Sequence, residues 1–268
     1  VTPTRWRMTS SAVGRPDGPS RAAATGSGCG GLMTAPRIQL VGPPAETAEL
    51  SDALADSAGQ LQSVTAASPE AAPPDLSICS TPEALHSVAA VGTSHPVCRT
   101  DGVVPTAASL AELPAVIEAW HAGEAPRHLL RTYGVHAGSV SELLTLDLVL
   151  STDAVAQISE FRISHAGTPL LEHRADGVTV ATPLGTGGYA AALGGPRLGA
   201  VDALVVVPMA AFAAHTPTWV TPPPVEITML RQEAAVSLSI DATTRHQIDP
   251  TTPIELRARD TLTVIGRW

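Results

Sequence analysis

The residues of this 268-residue chain best able to do chemistry together lie between Arg174 and Pro196, in the run RADGVTVATPLGTGGYAAALGGP. Asp176-Gly177 precedes an apolar strand, Val178–Ala181. Thr182-Pro183-Leu184-Gly185-Thr186-Gly187-Gly188-Tyr189 leaves that strand and enters the Ala-rich segment Ala190–Leu193, which Gly194-Gly195-Pro196 closes. A loop of this composition offers backbone N–H groups and hydroxyls to a phosphate or a ribose, because glycine lets the main chain approach an anion closely. The ring of Tyr189 could close one wall of a nucleotide pocket. The same composition also suits an ordinary turn, and the residues alone leave that alternative open.

The order Asp-Gly, apolar strand, Thr-Pro-x-Gly-Ser/Thr-x-x-Tyr, Ala-rich helix, Gly-Gly-Pro resembles the signature of the NAD kinases. The likeness is strong over residues 174–208 and diffuse over the rest of 75–265, where Pro217–Pro222 and Ser237-Leu238-Ser239-Ile240-Asp241 also fit. It implies transfer of the γ-phosphoryl group of ATP, or of polyphosphate, to the adenosine ribose 2′-hydroxyl of NAD. Mg²⁺ assists, and the product is NADP. It also implies an N-terminal α/β domain, a C-terminal β-sandwich-like domain, NAD in the cleft between them, and a homo-oligomer. By motif, Asp176 would hold the nicotinamide end of the dinucleotide. Thr182, Gly185, Thr186, Gly187, Gly188 and Tyr189 would line the nucleotide site.

The departures from that family are as specific. The family carries Gly-Gly-Asp-Gly-Thr after a strand of its first domain, with the aspartate as expected general base. Here Asp75–Cys79 is followed by Ser80-Thr81-Pro82-Glu83-Ala84-Leu85, so the glycines are gone and Glu83 falls where the aspartate would. The family's Asn-Glu pair corresponds to Leu146-Asp147, and Leu146 cannot hydrogen-bond a base or a ribose. Glu83 and Asp147 are therefore the candidate catalytic carboxylates. A general base is worth about 10²–10⁴-fold. Phosphoryl transfer depends chiefly on positioning and charge stabilisation, so a missing base alone need not abolish it. With no lysine in the chain, phosphate charge must meet arginine or Mg²⁺, and Arg174, beside Asp176, is the best-placed arginine. A catalytically impaired NAD(P)-binding regulatory protein of the same fold is the alternative; a related kinase with a lipid or sugar acceptor is a third.

These residues need elements to hold them. Arg37–Val41, Asp75–Cys79 and Pro96–Arg99 read as short strands. Ala45–Leu61, a segment opened by Thr81-Pro82, and Ser109–Ala122 read as helices. Such alternation implies a parallel sheet, a Rossmann-like α/β domain over residues 35–124. From residue 125 to 268 the texture is β-rich: Leu144–Leu150, Gln157–Ser164, Val178–Thr182, Ala203–Val207, Val225–Arg231, Val236–Ile240 and Ile254–Ile265, separated by turn residues. That is the expected β-rich NAD-binding domain, with Trp120 and Trp219 as core residues and His173 as a partly exposed strand residue. Residues 1–34 lack apolar periodicity and are expected to be a disordered extension, or sequence upstream of a start at Met33.

Composition narrows the classes further. The formal net charge is −9, which argues against a dedicated nucleic-acid binder. All 16 basic residues are arginine, which excludes Schiff-base chemistry and the lysine-bearing phosphate loop. Three cysteines without metal spacing fit reduced thiols and a cytoplasmic setting. The longest apolar run, near 203–214, is too short to cross a bilayer, so no membrane partner is expected. The expected partners are small-molecule nucleotides.

Overall fold

In a computed structural model of the chain, the described residues are 35–56, 60–64, 66–67, 73–93, 97–99, 109–153, 158–213, 216–231 and 235–266. The expectations for residues 1–34, including Cys29, lie outside them. Residues 35–268 form one compact unit.

The first part contains β1 (Arg37–Val41), α1 (Pro44–Ala53), β2 (Gln60–Val64), β3 (Leu76–Cys79), α2 (Pro82–Ala90), β4 (Val97–Arg99) and α3 (Leu113–His121). Strands β2-β1-β3-β4 pair in parallel. Helix α1 is shorter than its Ala/Leu spacing implies, because Leu61 belongs to strand β2. Pairing with β1 along its whole length overrides a modest helical preference there. Helix α2 starts where Thr81-Pro82 predicts: the Thr81 side chain accepts the Ala84 N–H at 3.1 Å, and Pro82 fills the first turn. Apolar residues of α1 and α3, among them Leu50, Leu54, Leu113 and Ile117, share a buried cluster with Ile38, Leu40, Ile78 and Cys98. Leu85 and Val88 of α2 share a different cluster with Val41, Cys79 and Val97.

The second part contains β5 (Arg127–Ala137), β6 (Val140–Leu144), β7 (Asp147–Thr152), β8 (Ser159–His165), β9 (Thr168–Ala175), β10 (Gly177–Ala181), α4 (Tyr189–Ala192), β11 (Leu204–Met209), β12 (Trp219–Thr221), β13 (Val225–Arg231), β14 (Val236–Ile240), β15 (Thr244–Ile248) and β16 (Ile254–Ile265). One antiparallel sheet runs β12-β11-β10-β7-β14-β15. The other layer is formed by β5, β6, β8, β9, β13 and β16. Between them lies the largest core, with Tyr133, Phe161, Val225 and Leu256 from one layer meeting Leu150, Val180, Val206 and Leu238 from the other. Alternation along each strand sends these residues inward, as a sandwich requires. Trp219 and Trp120 both pack against core clusters. Strand β16 joins the two parts: its Val264 pairs in parallel with Val97 of β4, while its earlier residues pair with β13 and β5.

The expected single strand Leu144–Leu150 is two strands, β6 and β7, broken at Thr145-Leu146. That break is where the candidate site forms.

Candidate functional site

Strand β7 lies beside β10 with Asp147 opposite Ala181, so the break before β7 abuts the loop that follows β10. The two are stitched together. Thr182 donates its N–H to the Leu146 carbonyl at 2.8 Å and its hydroxyl to the Thr145 carbonyl at 2.6 Å. Within the loop the Thr186 hydroxyl donates to the Pro183 carbonyl at 2.8 Å and accepts the Leu198 N–H at 3.1 Å. Residues 181–186 are buried, whereas Gly187 and Gly188 are half-buried and Tyr189 is 43% exposed. The hydroxyls of Thr182 and Thr186 thus shape the loop, and its outward edge is Gly187-Gly188-Tyr189. Gly185 is required by close approach: a Cβ there would overlap the Leu146 carbonyl. The expected Ala-rich helix is the single turn α4, so it adds little dipole to the loop.

The residue that organises the seam is Asp241, in the turn between β14 and β15. Its side chain is fully buried, and five donors surround it. One oxygen accepts the Thr145 N–H and hydroxyl at 2.8 and 2.7 Å, and the other accepts the Leu146 and Asp147 N–H groups at 2.7 and 3.1 Å. The fifth is Nδ1 of His86 on α2, at 2.8 Å. Asp241 and Ala242 both have positive φ, 51° and 56°, a conformation aspartate tolerates better than alanine. A buried carboxylate needs such saturation and a counter-charge. The hydrogen bond from Asp241 raises the pKa of His86 above the ordinary histidine value; burial opposes that, and the charges of Asp241 and Glu142 add to it. Asp147 is pushed up to about 6, first by burial and then by the neighbouring Asp241 charge. A carboxylate with a pKa near neutrality has the strength a general base needs at working pH.

The seam between the two parts is apolar. Leu146 and Leu184 share a buried cluster with Cys79, Ala84, Leu85 and Val88. Leu146, at the position of a polar family residue, is therefore a packing residue.

Glu83 is exposed, on the first turn of α2 and one turn before His86. The Ser80-Thr81-Pro82 segment before it is internally committed: the Ser80 hydroxyl donates to the Val41 carbonyl at 3.4 Å, and Thr81 caps its own helix. Asp176 lies at the opposite end of β10 from Thr182, about 20 Å away along an extended strand. Its main chain bonds Met209 and Thr152. Arg174 is exposed and pairs with Glu160 at 3.4 Å. The fold thus gathers Asp147 and Thr182–Tyr189 at one end of β10 and leaves Asp176 and Arg174 at the other. His173 is 7% exposed, against the expectation of a partly exposed residue, because its ring packs near Phe161 with centroids 5.8 Å apart. His215 lies outside the described residues.

Asp241 and His86 were not singled out from the sequence. A strand ending in Ser-Ile-Asp before a turn hints at Asp241. Nothing in the order of residues pairs it with a histidine 155 positions away.

A Rossmann-like parallel sheet joined to a β-sandwich, with a glycine-threonine loop pinned at their junction, defines a two-part α/β plus β fold. Residues 147–263 match the family model of the ATP-NAD kinase C-terminal domain. Over 123 residues the chain is 34% identical to the NAD kinase of Methanosarcina mazei, covering 45% of this chain and 43% of that relative. Over 105 residues it is 35% identical to the NAD kinase of Chloroflexus aggregans, covering 38% and 37%. The matched region thus spans less than half the length of these relatives. In fold it is similar to an NAD kinase from Archaeoglobus fulgidus in complex with ATP, with a TM-score of 0.67 and 15% identity, over 86% of this chain and 94% of that one. It is also similar to yeast NADH kinase complexed with NADH, with a TM-score of 0.68 and 16% identity, over 88% and 85%. Residues 147–263, most of the second lobe, are thus similar to the ATP-NAD kinase C-terminal domain and to the matching part of curated NAD kinases. No helix among the described residues is long and apolar enough to cross a membrane.

Proposed function

We propose that the chain is an NAD kinase. The 2′-hydroxyl oxygen of the NAD adenosine ribose bonds to the γ-phosphorus of ATP as the bond from that phosphorus to the ADP oxygen breaks. The hydroxyl proton passes to a carboxylate, and NADP and ADP leave. Asp147 is the preferred acceptor of that proton, with Glu83 the second candidate. The observation that carries the reading is the register of Asp147 beside Ala181, which sets a carboxylate of pKa about 6 against the family's own loop motif. The outward edge Gly187-Gly188-Tyr189 is the surface offered to the dinucleotide, with Thr182, Gly185 and Thr186 holding it in shape. Asp176 and Arg174 would serve the far end of a long ligand.

Among the described residues no group of three or more His, Cys, Asp or Glu side chains could hold a metal ion. Mg²⁺ would be carried by the phosphates of ATP, where it would neutralise charge on the transferring group. A homo-oligomer is expected from the family resemblance and is tested by sedimentation of the full chain. The buried thiols Cys79 and Cys98 suit a reducing cytoplasm.

The test is incubation of the full chain with NAD, ATP and Mg²⁺, reading NADP by a coupled dehydrogenase. NADP formation that D147N reduces about 10²-fold or more supports the reading. No NADP at any salt concentration, with ATP or with polyphosphate, refutes it.

A further inference from the structure

His86 sits on α2 of the first lobe, yet its imidazole pairs with a side chain of the second. Its Nδ1 lies 2.8 Å from Asp241, and the same Asp241 oxygen takes the Thr145 N–H and hydroxyl. The other Asp241 oxygen takes the Leu146 and Asp147 amides. Leu146 in turn accepts from Thr182, the first residue of the loop. A continuous chain of hydrogen bonds therefore runs from α2 through Asp241 to the loop. Asp241 is fully buried, while His86 is 18% exposed and within reach of protons from solvent.

We infer that His86 is a positioning residue: by binding Asp241 across the seam it fixes the Thr145–Asp147 turn, and so sets how firmly the 182–189 loop holds a dinucleotide. The inference deepens the nucleotide-binding reading proposed above and rests on it. The latch is strongest when His86 carries its proton, because a buried carboxylate gains most from a charged donor. The groups facing His86 are Asp241 from the β14–β15 turn and Glu142 from β6, both acidic, and Glu83 one turn away on its own helix. Strand β3, which also packs on α2, carries no charged side chain. Glu142 is shared with His246, at 3.4 Å. Asp241 and Glu142 favour the imidazolium, and burial opposes it. The latch therefore holds below the His86 pKa and weakens as pH rises through it.

The test uses the full chain, with NAD as ligand so that no ribose phosphate titrates. Calorimetry is run at pH 6 and pH 8.5 on wild type, H86A and H86Q. Alongside, hydrogen exchange is measured at the Thr145, Leu146 and Asp147 amides. Wild type is expected to bind NAD about tenfold more tightly at pH 6, as suits the loss of one charge-assisted hydrogen bond. H86A should bind weakly at both pH values and lose protection at the three amides. H86Q, which keeps a neutral donor, should recover part of the affinity without the His86 step. Any pH dependence left in it belongs to Asp147. Wild-type affinity and an unchanged pH profile in H86A or H86Q overturn the inference, as does unchanged protection in H86A. Should wild type bind no NAD at either pH, the nucleotide reading fails. The latch is then judged by exchange alone: lost protection in H86A upholds it, and retained protection refutes it. If H86A does not fold, the H86Q profile decides.

Discussion

The carbonyl of Leu146 and the Cα of Gly185 are in direct apposition, with no room for a Cβ between them. The same carbonyl accepts the Thr182 N–H at 2.8 Å, so the loop after β10 is seated on the backbone of the break before β7. G185A must push the loop off that seat. Overpacking of this kind costs about 1–3 kcal/mol. The expected outcome is a destabilised chain by urea unfolding, with NAD affinity lost by more than the stability change explains. An alanine variant that binds and unfolds like wild type would show that the seat is slack.

Leu146 gives a sharper contrast, since its side chain and its main chain do different work. The side chain is buried with Leu85, Val88 and Leu184, while the main chain serves Asp241 and Thr182. Restoring the family's polar residue with L146N therefore puts an amide into an apolar seam. The expected cost is about 2–4 kcal/mol, from the lost packing and the unpaired amide together. Thermal unfolding of the purified variant reads it. Stability equal to wild type would mean that the amide finds partners and that the seam is wet.

These two residues also show how far the sequence could be read. The loop motif, the Thr81-Pro82 start of α2 and the short apolar runs that become β10, β11 and β14 are local signals. Each rests on residues adjacent in the chain, and each appears where the pattern places it. What escaped reading depends on contacts between distant segments. Leu61 joins β2 because β1 is there to pair with it. Leu146 looks like a lost ligand contact until α2 and Leu184 are seen to bury it. His86 looks like an ordinary helix residue until Asp241 meets it from 155 positions away. The tie of β16 to β4 likewise joins the end of the described chain to a strand near its start.

Asp147 links stability and activity with opposite signs. Its pKa is raised to about 6, so the folded chain holds this proton more tightly than the unfolded chain, whose aspartate titrates near 3.8. Ionisation therefore works against folding as pH rises from 3.8 through about 6, and the cost is fully present above that. D147N removes the charge and should be more stable than wild type at pH 8, by on the order of 2 kcal/mol. The same change removes the proposed base, so turnover should fall about 10²–10⁴-fold. Wild-type kcat/KM should rise with pH through about 6. A D147N variant that is both less stable and fully active would contradict both halves.

His173 sets the acid limit of the sandwich. It is 7% exposed, and among the described residues neither ring nitrogen has a hydrogen-bond partner. Burial lowers its pKa below the ordinary 6.5, so the folded chain keeps it neutral while the unfolded chain takes up a proton. The unfolded state therefore binds more protons below 6.5, and stability contributed by the neutral ring is constant above that pH and lost as pH falls. Phenylalanine fills a similar volume beside Phe161 without a group to titrate. H173F should match wild type in urea unfolding at pH 8 to within about 1.5 kcal/mol, as a volume-conserving swap does. Between pH 6.5 and 5 the wild-type midpoint should fall faster than the H173F midpoint. Parallel curves for the two proteins over that range would show that His173 keeps access to a proton in the folded chain.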